Sequence, residues 1–413
     1  MDESSARDLL ETALGEEPPI GPIARNSLRA GIGLRRRVRM RRAAGGAAAV
    51  AVAAAVIPAA TGVFGHTSVG PHPETLPRTP SGTAYVINSG GGTVTPIDLA
   101  TNTAGTPIDV SGEPVAMAIA PDGRTAYVAS GAANSGAEPT SAQTVTPIDL
   151  TTNTPGKPIT LAYPADAIAI APGGRTAYVI NGFPSTSLTP IDLATKTAGN
   201  PITLRADPED IAMARDGKSA YITIVTGTKT AQGAFLSFFD FATFDLATNK
   251  LEKPVKLSNG GPEAIAIAPD GKTAYVVSQS SSSMAAVTPI NLTTNKAGEP
   301  IKIGTRPMPK GVFGQPLAIA ISPNGTTAYL ADGASGTVTP IDLATDTALK
   351  PIRLSGKPGS DAIAISTNGA AAYVANQPSS TVTPINLTTN KAEKPIKIGH
   401  GWDSGFEAIV TAP

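Results

Sequence analysis

Short β-type runs recur along most of the chain, the first of each set alternating small and large apolar residues, and each run ends at a turn-forming segment. Between residues 262 and 303, the runs are 264–268, 273–277, 287–292 and 300–303. Alternation with a period of two and an enrichment in Val, Ile, Thr and Tyr are typical of β-strands. Pro269-Asp270-Gly271-Lys272 between the first two runs favours a tight turn. The pattern therefore predicts a four-stranded antiparallel unit.

The same unit recurs along the chain, and one tyrosine marks the second strand of each copy. These tyrosines are Tyr85, Tyr127, Tyr178, Tyr221, Tyr275, Tyr329 and Tyr373. They follow one another at intervals of 42 to 54 residues. A repeat of this length with four short strands is typical of a propeller blade. We therefore predict an all-β fold, a seven-bladed β-propeller.

The first and last repeats are each incomplete, and they complement each other. Residues 83–86 form a second-strand motif with no Ala/Ile strand before it, whereas residues 407–413 form an Ala/Ile strand with nothing after it. Joining them into one blade would remove the exposed edges of an open ring. The sequence therefore predicts a three-plus-one closure, with residues 407–413 as the innermost strand of the blade that begins at Ser81.

A proline interrupts the predicted third strand of six repeats. These prolines are Pro96, Pro147, Pro190, Pro289, Pro340 and Pro384. Because proline has no amide hydrogen, each of these strands is expected to contain a bulge or to lack one ladder hydrogen bond. The fourth repeat has Thr243 at this position, within a cluster of five phenylalanines between Phe235 and Phe244.

Over residues 81–413 the chain resembles the YVTN-type surface-layer propeller repeats of bacteria and archaea. The resemblance rests on Tyr-Val-Ile-Asn at 85–88 and 178–181, Tyr-Val-Ala-Asn at 373–376, the Asp-Gly turns at 122–123 and 270–271, and Ile-Asp-Leu-Ala-Thr-Asn at 97–102. It implies the propeller fold and says little about a ligand. The third-strand prolines depart from it, since the family usually has an aliphatic residue there. Lactonase-type propellers are similar in architecture, but their catalytic residues have no position-by-position match here.

The amino-terminal part of the chain has a different character. Six arginines between Arg35 and Arg42 precede residues 43–65, which contain no charged residue. That length is sufficient to cross a bilayer as a helix, and the arginines favour the cytoplasmic side. We therefore predict a cytoplasmic stub (1–42), a single transmembrane helix (43–65), a proline-rich linker (66–80) and a propeller outside the cell membrane (81–413). Secretion after cleavage of the apolar segment and a soluble alanine-rich helix are the two alternatives.

Composition excludes several functional classes. The 32 basic and 32 acidic residues balance, so no basic face favours nucleic acid as a partner. The chain has no cysteine, and its three histidines are His66, His72 and His400, so the blade cores offer neither a thiol nucleophile nor a histidine base. We therefore assign no catalytic residues, no resident metal and no cofactor, and we predict a non-catalytic binding or surface scaffold module with a protein or cell-envelope ligand.

Loop lengths indicate where such a partner would bind. The second-to-third connections (130–143, 226–236, 278–286) and the fourth-to-first connections (304–316, 399–406) vary, whereas the other two kinds of turn are nearly constant. In an antiparallel meander the two variable kinds emerge on one face, and loops on a rigid scaffold commonly carry function. The predicted contact residues are Arg306, Lys310, Phe313, His400, Trp402 and Asp403. Trp402, the single tryptophan, is alternatively a plug over the closure blade.

A second candidate site lies at the mouth of the central channel. Five repeats have a carboxylate at the start of the innermost strand, and Val115 and Leu317 occupy this position in the other two. These carboxylates are Asp166, Glu209, Glu263, Asp361 and Glu407. Such a ring could attract a hard cation or a basic partner, or each carboxylate could accept hydrogen bonds within its own loop. The ring supports the alternative function, an extracytoplasmic lactonase-like or other hydrolase with a carboxylate-held metal.

The repeated polar residues are expected to be structural. Seven equivalent tyrosines are more than a binding site needs, so we predict half-buried side chains with hydroxyl groups at the blade edges. The residue after Pro-Ile alternates between aspartate, as at Asp98, and asparagine, as at Asn291. A position that tolerates both is expected to hydrogen-bond a local turn.

Overall fold

The computed structural model describes most of residues 82–412, and the propeller is confirmed. The described segments are 82–110, 112–131, 143–181, 185–204, 206–229, 235–257, 260–279, 285–304, 317–355, 359–376, 379–398 and 406–412. None of these segments contains a helix with the length and apolar character that crossing a membrane requires. The predicted stub (1–42), transmembrane helix (43–65) and linker (66–80) lie outside the described residues.

Every blade consists of three longer strands and an outermost strand that is divided into two short pieces. The first three blades contain β1 (Thr83–Asn88), β2 (Thr93–Asp98), β3 (Thr103–Ala104) and β4 (Ile108–Asp109); β5 (Pro114–Ile119), β6 (Thr125–Ser130), β7 (Thr144–Asp149), β8 (Thr154–Pro155) and β9 (Ile159–Thr160); β10 (Ala165–Ile170), β11 (Thr176–Asn181), β12 (Ser187–Asp192), β13 (Thr197–Ala198) and β14 (Ile202–Thr203).

The same order of elements continues through the remaining blades. The fourth and fifth blades contain β15 (Asp207–Met213), β16 (Ser219–Lys229), β17 (Phe235–Asp245), β18 (Lys250–Leu251) and β19 (Val255–Lys256); β20 (Gly261–Ile267), β21 (Thr273–Gln279), β22 (Ala285–Asn291), β23 (Lys296–Ala297) and β24 (Ile301–Ile303). The last strands are β25 (Leu317–Ile321), β26 (Thr327–Asp332), β27 (Thr337–Asp342), β28 (Thr347–Ala348) and β29 (Ile352–Arg353); β30 (Ser360–Ile365), β31 (Ala371–Asn376), β32 (Thr381–Asn386), β33 (Lys391–Ala392), β34 (Ile396–Lys397) and β35 (Phe406–Ala412).

The first blade is completed by β35, the last strand of the described chain. The seven sheets are antiparallel, and the first has the order β3-β2-β1-β35, with β4 also paired to β2. In the β1–β35 ladder, Thr83 lies opposite Ala412 and Val86 lies opposite Ile409. The three-plus-one closure predicted from the two incomplete repeats is therefore confirmed.

The core lies between adjacent blades, around a ring of seven innermost strands. Each innermost strand contacts the corresponding strand of the blade on either side. The alanines of these strands, such as Ala264 and Ala408, are fully buried, while isoleucines such as Ile265 fill the space between sheets. Small side chains allow the strands to converge near the axis, which explains the Ala/Ile alternation.

The third-strand prolines do not produce bulges, so this part of the prediction was wrong. Strand β2 pairs with β1 without a register shift, and Pro96 lies opposite Tyr85. The Pro96 carbonyl accepts a 2.8 Å hydrogen bond from the Gly105 amide, on the side of the outermost strand. Because the amide and carbonyl of a strand residue point the same way, the missing donor also faces outwards. The outermost strand is divided at this level into β3 and β4, so the missing bond lies there.

Candidate functional site

The connections between strands divide the propeller into two faces. We call the face with the first-to-second and third-to-fourth connections the turn face, exemplified by residues 120–124 and 98–103. We call the opposite face, with the second-to-third and fourth-to-first connections, the loop face. Because successive strands run antiparallel, all connections of one kind emerge on the same side.

The turn face is nearly identical in every blade. The Asp98 carboxylate accepts hydrogen bonds from the Ala100 and Thr101 amides at 2.9 and 2.8 Å, and Asn386 accepts the equivalent pair in the seventh blade. The turn then passes through one residue with positive φ, for example Asn102 at 54°. The hydrogen bonds that the Asp98 carboxylate accepts lower its pKa, and the bond from the Thr101 amide contributes most. The repeated Asp/Asn position is therefore structural, as predicted.

The repeat tyrosines are structural, as predicted, but five of the seven are at most 6% exposed and so are more deeply buried than the sequence prediction of half-buried side chains. Some of their hydroxyl groups also bond the neighbouring blade. The Tyr373 hydroxyl donates to the Leu99 carbonyl and the Asn102 side chain of the first blade, at 3.3 and 3.2 Å. Tyr85 makes the equivalent bonds to the second blade. Burial, with smaller contributions from Asp346 and Asp270, raises the pKa of Tyr275 to about 12. These side chains are therefore part of the blade packing.

The loop face differs from blade to blade, and the fourth blade differs most. Strands β16 and β17 each have eleven residues and pair along their whole length, up to Lys229 opposite Phe235. Much of the predicted loop 226–236 is therefore strand, because β-type residues continue on both sides of a short connection. The innermost strand β15 pairs with β16 only as far as Val225. Beyond that point a two-stranded ribbon continues on the loop face.

The predicted contact residues of the loop face lie in two connections outside the described residues. These residues are Arg306, Lys310 and Phe313 in 305–316, and His400, Trp402 and Asp403 in 399–405. The flanking strands β24, β25, β34 and β35 are described. The assignment of these residues to a binding face remains a prediction.

The channel-mouth carboxylates coincide with β-bulges, which the sequence did not predict. Asp166 is the extra residue where Ala165 and Ala167 pair with Asn181 and Ile180. Glu209, Glu263 and Asp361 occupy the same position in their blades, while Glu407 and Ala408 together lie opposite Ile87. Val115 is also a bulge residue, whereas Leu317 pairs directly with Asp332. A bulge locally changes the direction of a strand, and here it lies near the beginning of the innermost strand.

The described carboxylates do not form a metal-binding group. Asp166, Glu209 and Glu263 are half-buried, and each has an interaction partner. Nowhere in the described segments do three or more carboxylate or imidazole side chains approach closely enough to hold a cation. The arrangement therefore offers single carboxylates on adjacent innermost strands.

Asp210, which directly follows Glu209, is the buried carboxylate that sequence reasoning missed. Its two oxygens accept hydrogen bonds from the Ile211 amide at 2.8 Å and from the Ile265 amide of the fifth blade at 3.0 Å. The side chain is only 3% exposed, and burial raises its pKa well above the ordinary value. Alanine, as at Ala167 and Ala264, occupies this register position in other blades. An aspartate in place of this alanine was the sign in the sequence that the fourth blade differs here.

A second buried carboxylate, Asp240, lies on the third strand of the same blade. One oxygen accepts a 3.1 Å hydrogen bond from the Thr226 hydroxyl, and the other has no hydrogen-bond partner among the described residues. Nearby, Phe238 is 40% exposed, and the Lys256 ammonium lies 5.9 Å from its ring centre. The fourth blade thus combines two buried carboxyl groups with an exposed aromatic side chain on the loop face.

Comparisons with known proteins identify the fold but no family. No family model matches the sequence, and no curated protein matches it. Among solved structures, a hydrazine synthase chain from Kuenenia stuttgartiensis is 20% identical, with a TM-score of 0.60 over 78% of this chain and 99% of that one. The periplasmic gluconolactonase PpgL of Pseudomonas aeruginosa is 16% identical, with a TM-score of 0.59 over 80% and 99%. A functionally unknown protein from Desulfotomaculum acetoxidans is 16% identical, with a TM-score of 0.58 over 80% and 99%.

These similarities extend over nearly the whole of each solved chain, so the propeller is shared as a complete ring. Sequence identity of 16 to 20% supports common architecture and not common chemistry. The structural neighbours include proteins named as enzymes and one of unknown function, so they favour neither a catalytic nor a non-catalytic role.

Proposed function

We propose that the chain is a non-catalytic binding module that recognises a protein or cell-envelope ligand through its loop face. The observation that carries this proposal is the asymmetry between the two faces. On the turn face, the same carboxylate or carboxamide closes the same turn in blade after blade, as at Asp98 and Asn386. On the loop face, the connections differ in length, and the fourth blade adds a ribbon. Variable connections on a uniform scaffold are where binding specificity is commonly found.

The proposed location is the outer side of the cell membrane. Its support is the arginine cluster before residue 43, followed by the uncharged segment 43–65. The resemblance to YVTN-type surface-layer repeats agrees with this location. In this proposal the segment anchors the chain, and the loop face is free to meet envelope components; a secreted form would keep the same binding face.

Matched double substitutions on the two faces test the proposal. The loop-face variant is Arg306→Ala/Lys310→Ala, and the turn-face control is Arg124→Ala/Lys218→Ala, which removes the same charges from exposed turn residues. Full-length protein in a non-ionic detergent is immobilised and challenged with envelope extract, and captured components are quantified. We expect the loop-face variant to capture less of the wild-type partner while the control captures the wild-type amount.

The result that contradicts the choice of face is equal capture by both variants, or a loss confined to the turn-face variant. Trp402→Ala separates the two interpretations of this residue. A contact residue lowers capture without changing stability, whereas a plug over the closure blade lowers the unfolding midpoint.

The alternative is an extracytoplasmic hydrolase that uses the channel-mouth carboxylates. One observation favours it: the bulges place carboxylates such as Asp166, Glu209 and Glu263 at equivalent points of the innermost strands. Metal content and lactone hydrolysis of the full-length protein, with and without chelator, test it. A stoichiometric metal whose removal abolishes turnover, together with loss of both in Glu209→Gln/Glu263→Gln, would replace the binding proposal.

A further inference from the structure

On the outer rim of the ring, the end of one blade's outermost strand approaches the third-to-fourth turn of its neighbour, and we call each such junction a rim groove. Between the sixth and seventh blades, β29 contacts β33, and the equivalent elements β24 and β28 meet between the fifth and sixth. Because the groove recurs, the residues that line it can be compared position by position around the ring.

The groove between the sixth and seventh blades, which we call the 6/7 groove, has a volume of about 570 Å³. It is lined by Pro340, residues 349–353 and residues 389–392. Leu349 is 45% exposed and is one of the few large apolar side chains exposed among the described residues. Four other blades have glycine at this position, where a Cβ atom would lie 3.0 to 3.2 Å from the third-strand proline. Leu349 therefore gives this groove an apolar wall.

Three cationic side chains line the 6/7 groove. Lys350, Arg353 and Lys391 are exposed, and none of them forms a salt bridge with a residue that the structure describes. No carboxylate lies among the lining residues. The neighbouring Glu393 is 3.5 Å from the Asn102 side chain of the first blade. The turn that borders the groove is closed by neutral Asn386, where most blades have an aspartate.

The other rim grooves combine cations with carboxylates or have fewer cations. The groove between the fourth and fifth blades has three lysines, but Glu252 stands among them. Between the fifth and sixth blades the equivalent positions include Glu299 and Asp346, and between the seventh and first they include Glu393. The 6/7 groove is therefore distinguished by uncompensated positive charge within a part of the ring that is otherwise repetitive.

The groove also contains an exposed hydrogen-bond donor, the side-chain amide of Asn390. The Asn390 side-chain oxygen accepts a 3.4 Å hydrogen bond from the Tyr329 hydroxyl, which leaves the amide nitrogen as the available group. The equivalent nitrogen of Asn295 donates to the Lys253 carbonyl at 3.3 Å, and that of Asn102 donates to Glu393. Within the described residues, the nitrogen of Asn390 makes no such bond.

We propose that the 6/7 groove binds an acidic oligosaccharide, with sugar carboxylates paired to Lys350, Arg353 and Lys391. The planar guanidinium of Arg353 matches a carboxylate in a bidentate arrangement. The Asn390 amide donates to a sugar hydroxyl, while Leu349 and the prolines pack against the apolar face of a ring. The groove lies on the rim, so this site is separate from the loop face and its ligand is independent of the loop-face partner.

The test uses full-length protein in a non-ionic detergent and a short uronic-acid oligosaccharide as the probe. The groove variant is Lys350→Gln/Arg353→Gln/Lys391→Gln. The control, Lys157→Gln/Lys302→Gln/Lys296→Gln, changes the same three strand positions and the same net charge but distributes them over three other grooves. Affinity is measured by calorimetry at low and physiological salt. We expect the groove variant to bind about tenfold more weakly, since each exposed charge pair contributes modestly, and the control to bind like the wild type.

A second substitution and two further probes make the outcome decisive. Leu349→Gly, which restores the residue of other blades without changing charge, is expected to weaken binding as well. A neutral oligosaccharide of the same length is expected not to bind, and inorganic polyphosphate is expected to bind more weakly than the uronate. Absence of uronate binding to the wild type, equal losses in both triple variants, binding of the neutral sugar, or preference for polyphosphate would each overturn the proposal.

Discussion

The fourth blade and the six regular blades achieve the same fold with different contacts. In the first and seventh blades, a tyrosine hydroxyl bonds the turn of the next blade, as Tyr373 does with Asn102. In the fourth blade, Tyr221 instead stacks on Phe241 with ring centres 5.6 Å apart, and Asp210 bonds the fifth blade through the Ile265 amide. Thr243 stands where the others have proline.

The strand order of a blade and its contacts with the next blade can therefore vary independently. The turn face and the strand order are kept in the fourth blade, since Asp245 closes its turn like Asp98 does in the first. The bond between blades differs: the Ile265 amide of the fifth blade donates to the buried Asp210, while Tyr221 stacks on Phe241 within its own blade. A blade can therefore have different contacts with the next blade and a longer extension on the loop face while it keeps the same strand order.

Removal of the buried aromatic ring should have the largest effect on this comparison. Phe241 is fully buried, so Phe241→Ala is expected to lower the free energy of unfolding by about 3–5 kcal/mol. Phe238→Ala on the exposed side of the same strand is expected to cost about 0.5–1 kcal/mol, through loss of the contact with Lys256. Urea denaturation measures both. Equal losses in the two variants would contradict a core role for Phe241.

Asp210→Ala, which installs the residue of the regular blades, should have the next largest effect, and a pH-dependent one. Burial raises the pKa of Asp210 in the folded protein, so its contribution to stability is complete below its ordinary value of 3.8 and decreases as pH rises through the folded pKa. At low pH we expect a loss of about 1–3 kcal/mol, because the Ile211 and Ile265 amides lose their acceptor.

The measurement is the difference in unfolding free energy between wild type and Asp210→Ala from pH 4 to pH 8. The turn carboxylates such as Asp98 have lowered pKa values and change stability in the opposite direction, but they are present in both proteins and cancel. A difference that stays constant or grows with pH would contradict the assignment.

Removal of tyrosine hydroxyls should separate the two kinds of blade contact. Tyr373→Phe and Tyr85→Phe are expected to cost about 1 kcal/mol each, since each loses an inter-blade hydrogen bond. The Tyr221 hydroxyl makes no hydrogen bond to a described residue, so Tyr221→Phe is expected to leave stability unchanged. Thermal or chemical unfolding of the three variants is sufficient. A loss in Tyr221→Phe as large as in Tyr373→Phe would remove the distinction.

Thr243→Pro should have the smallest effect, because it makes the fourth blade more regular. The Thr243 carbonyl accepts a 2.8 Å bond from the Glu252 amide, so its own amide faces outwards like the proline nitrogens. We expect stabilisation of about 0.4–1 kcal/mol, from the lower entropy of the unfolded chain. The reverse change in a regular blade, Pro147→Thr, should cost a similar amount. Clear destabilisation by Thr243→Pro would indicate that this amide has a partner.

Much of the fold was predictable because its causes are local and repeated. The tyrosine spacing identified seven blades, and the incomplete repeats at 83–86 and 407–413 identified the closure strand. The division of each outermost strand was not predicted, since the sequence pattern indicated only the 300–303 run, and a two-residue piece such as β23 (Lys296–Ala297) is too short to show a strand pattern. The hydrogen bond that the proline carbonyl accepts at this division was not predicted either. It depends on the direction in which the carbonyl points, and strand pairing sets that direction rather than the local sequence.

The site was less predictable, for a physical reason. Asp210 and Asp240 look like ordinary polar residues in sequence, and their burial depends on contacts with other strands and with the fifth blade. The bulge at Asp166 arises from the pairing of two strands, so a single strand carries no sign of it. The predicted loop-face residues such as Arg306 and Trp402 remain predictions, since they lie outside the described residues.

The partnership of β1 with β35 also sets an order of events during synthesis. Strand β1 is synthesised before the other strands, but Val86 cannot pair with Ile409 until β35 has been made. Long-range pairing of this kind is slow, because the intervening chain must be brought into a loop before any contact forms. The nascent chain therefore carries an open inner edge until residues 406–412 have been made. That edge, rather than any site on the finished ring, is where a chaperone would have most to protect.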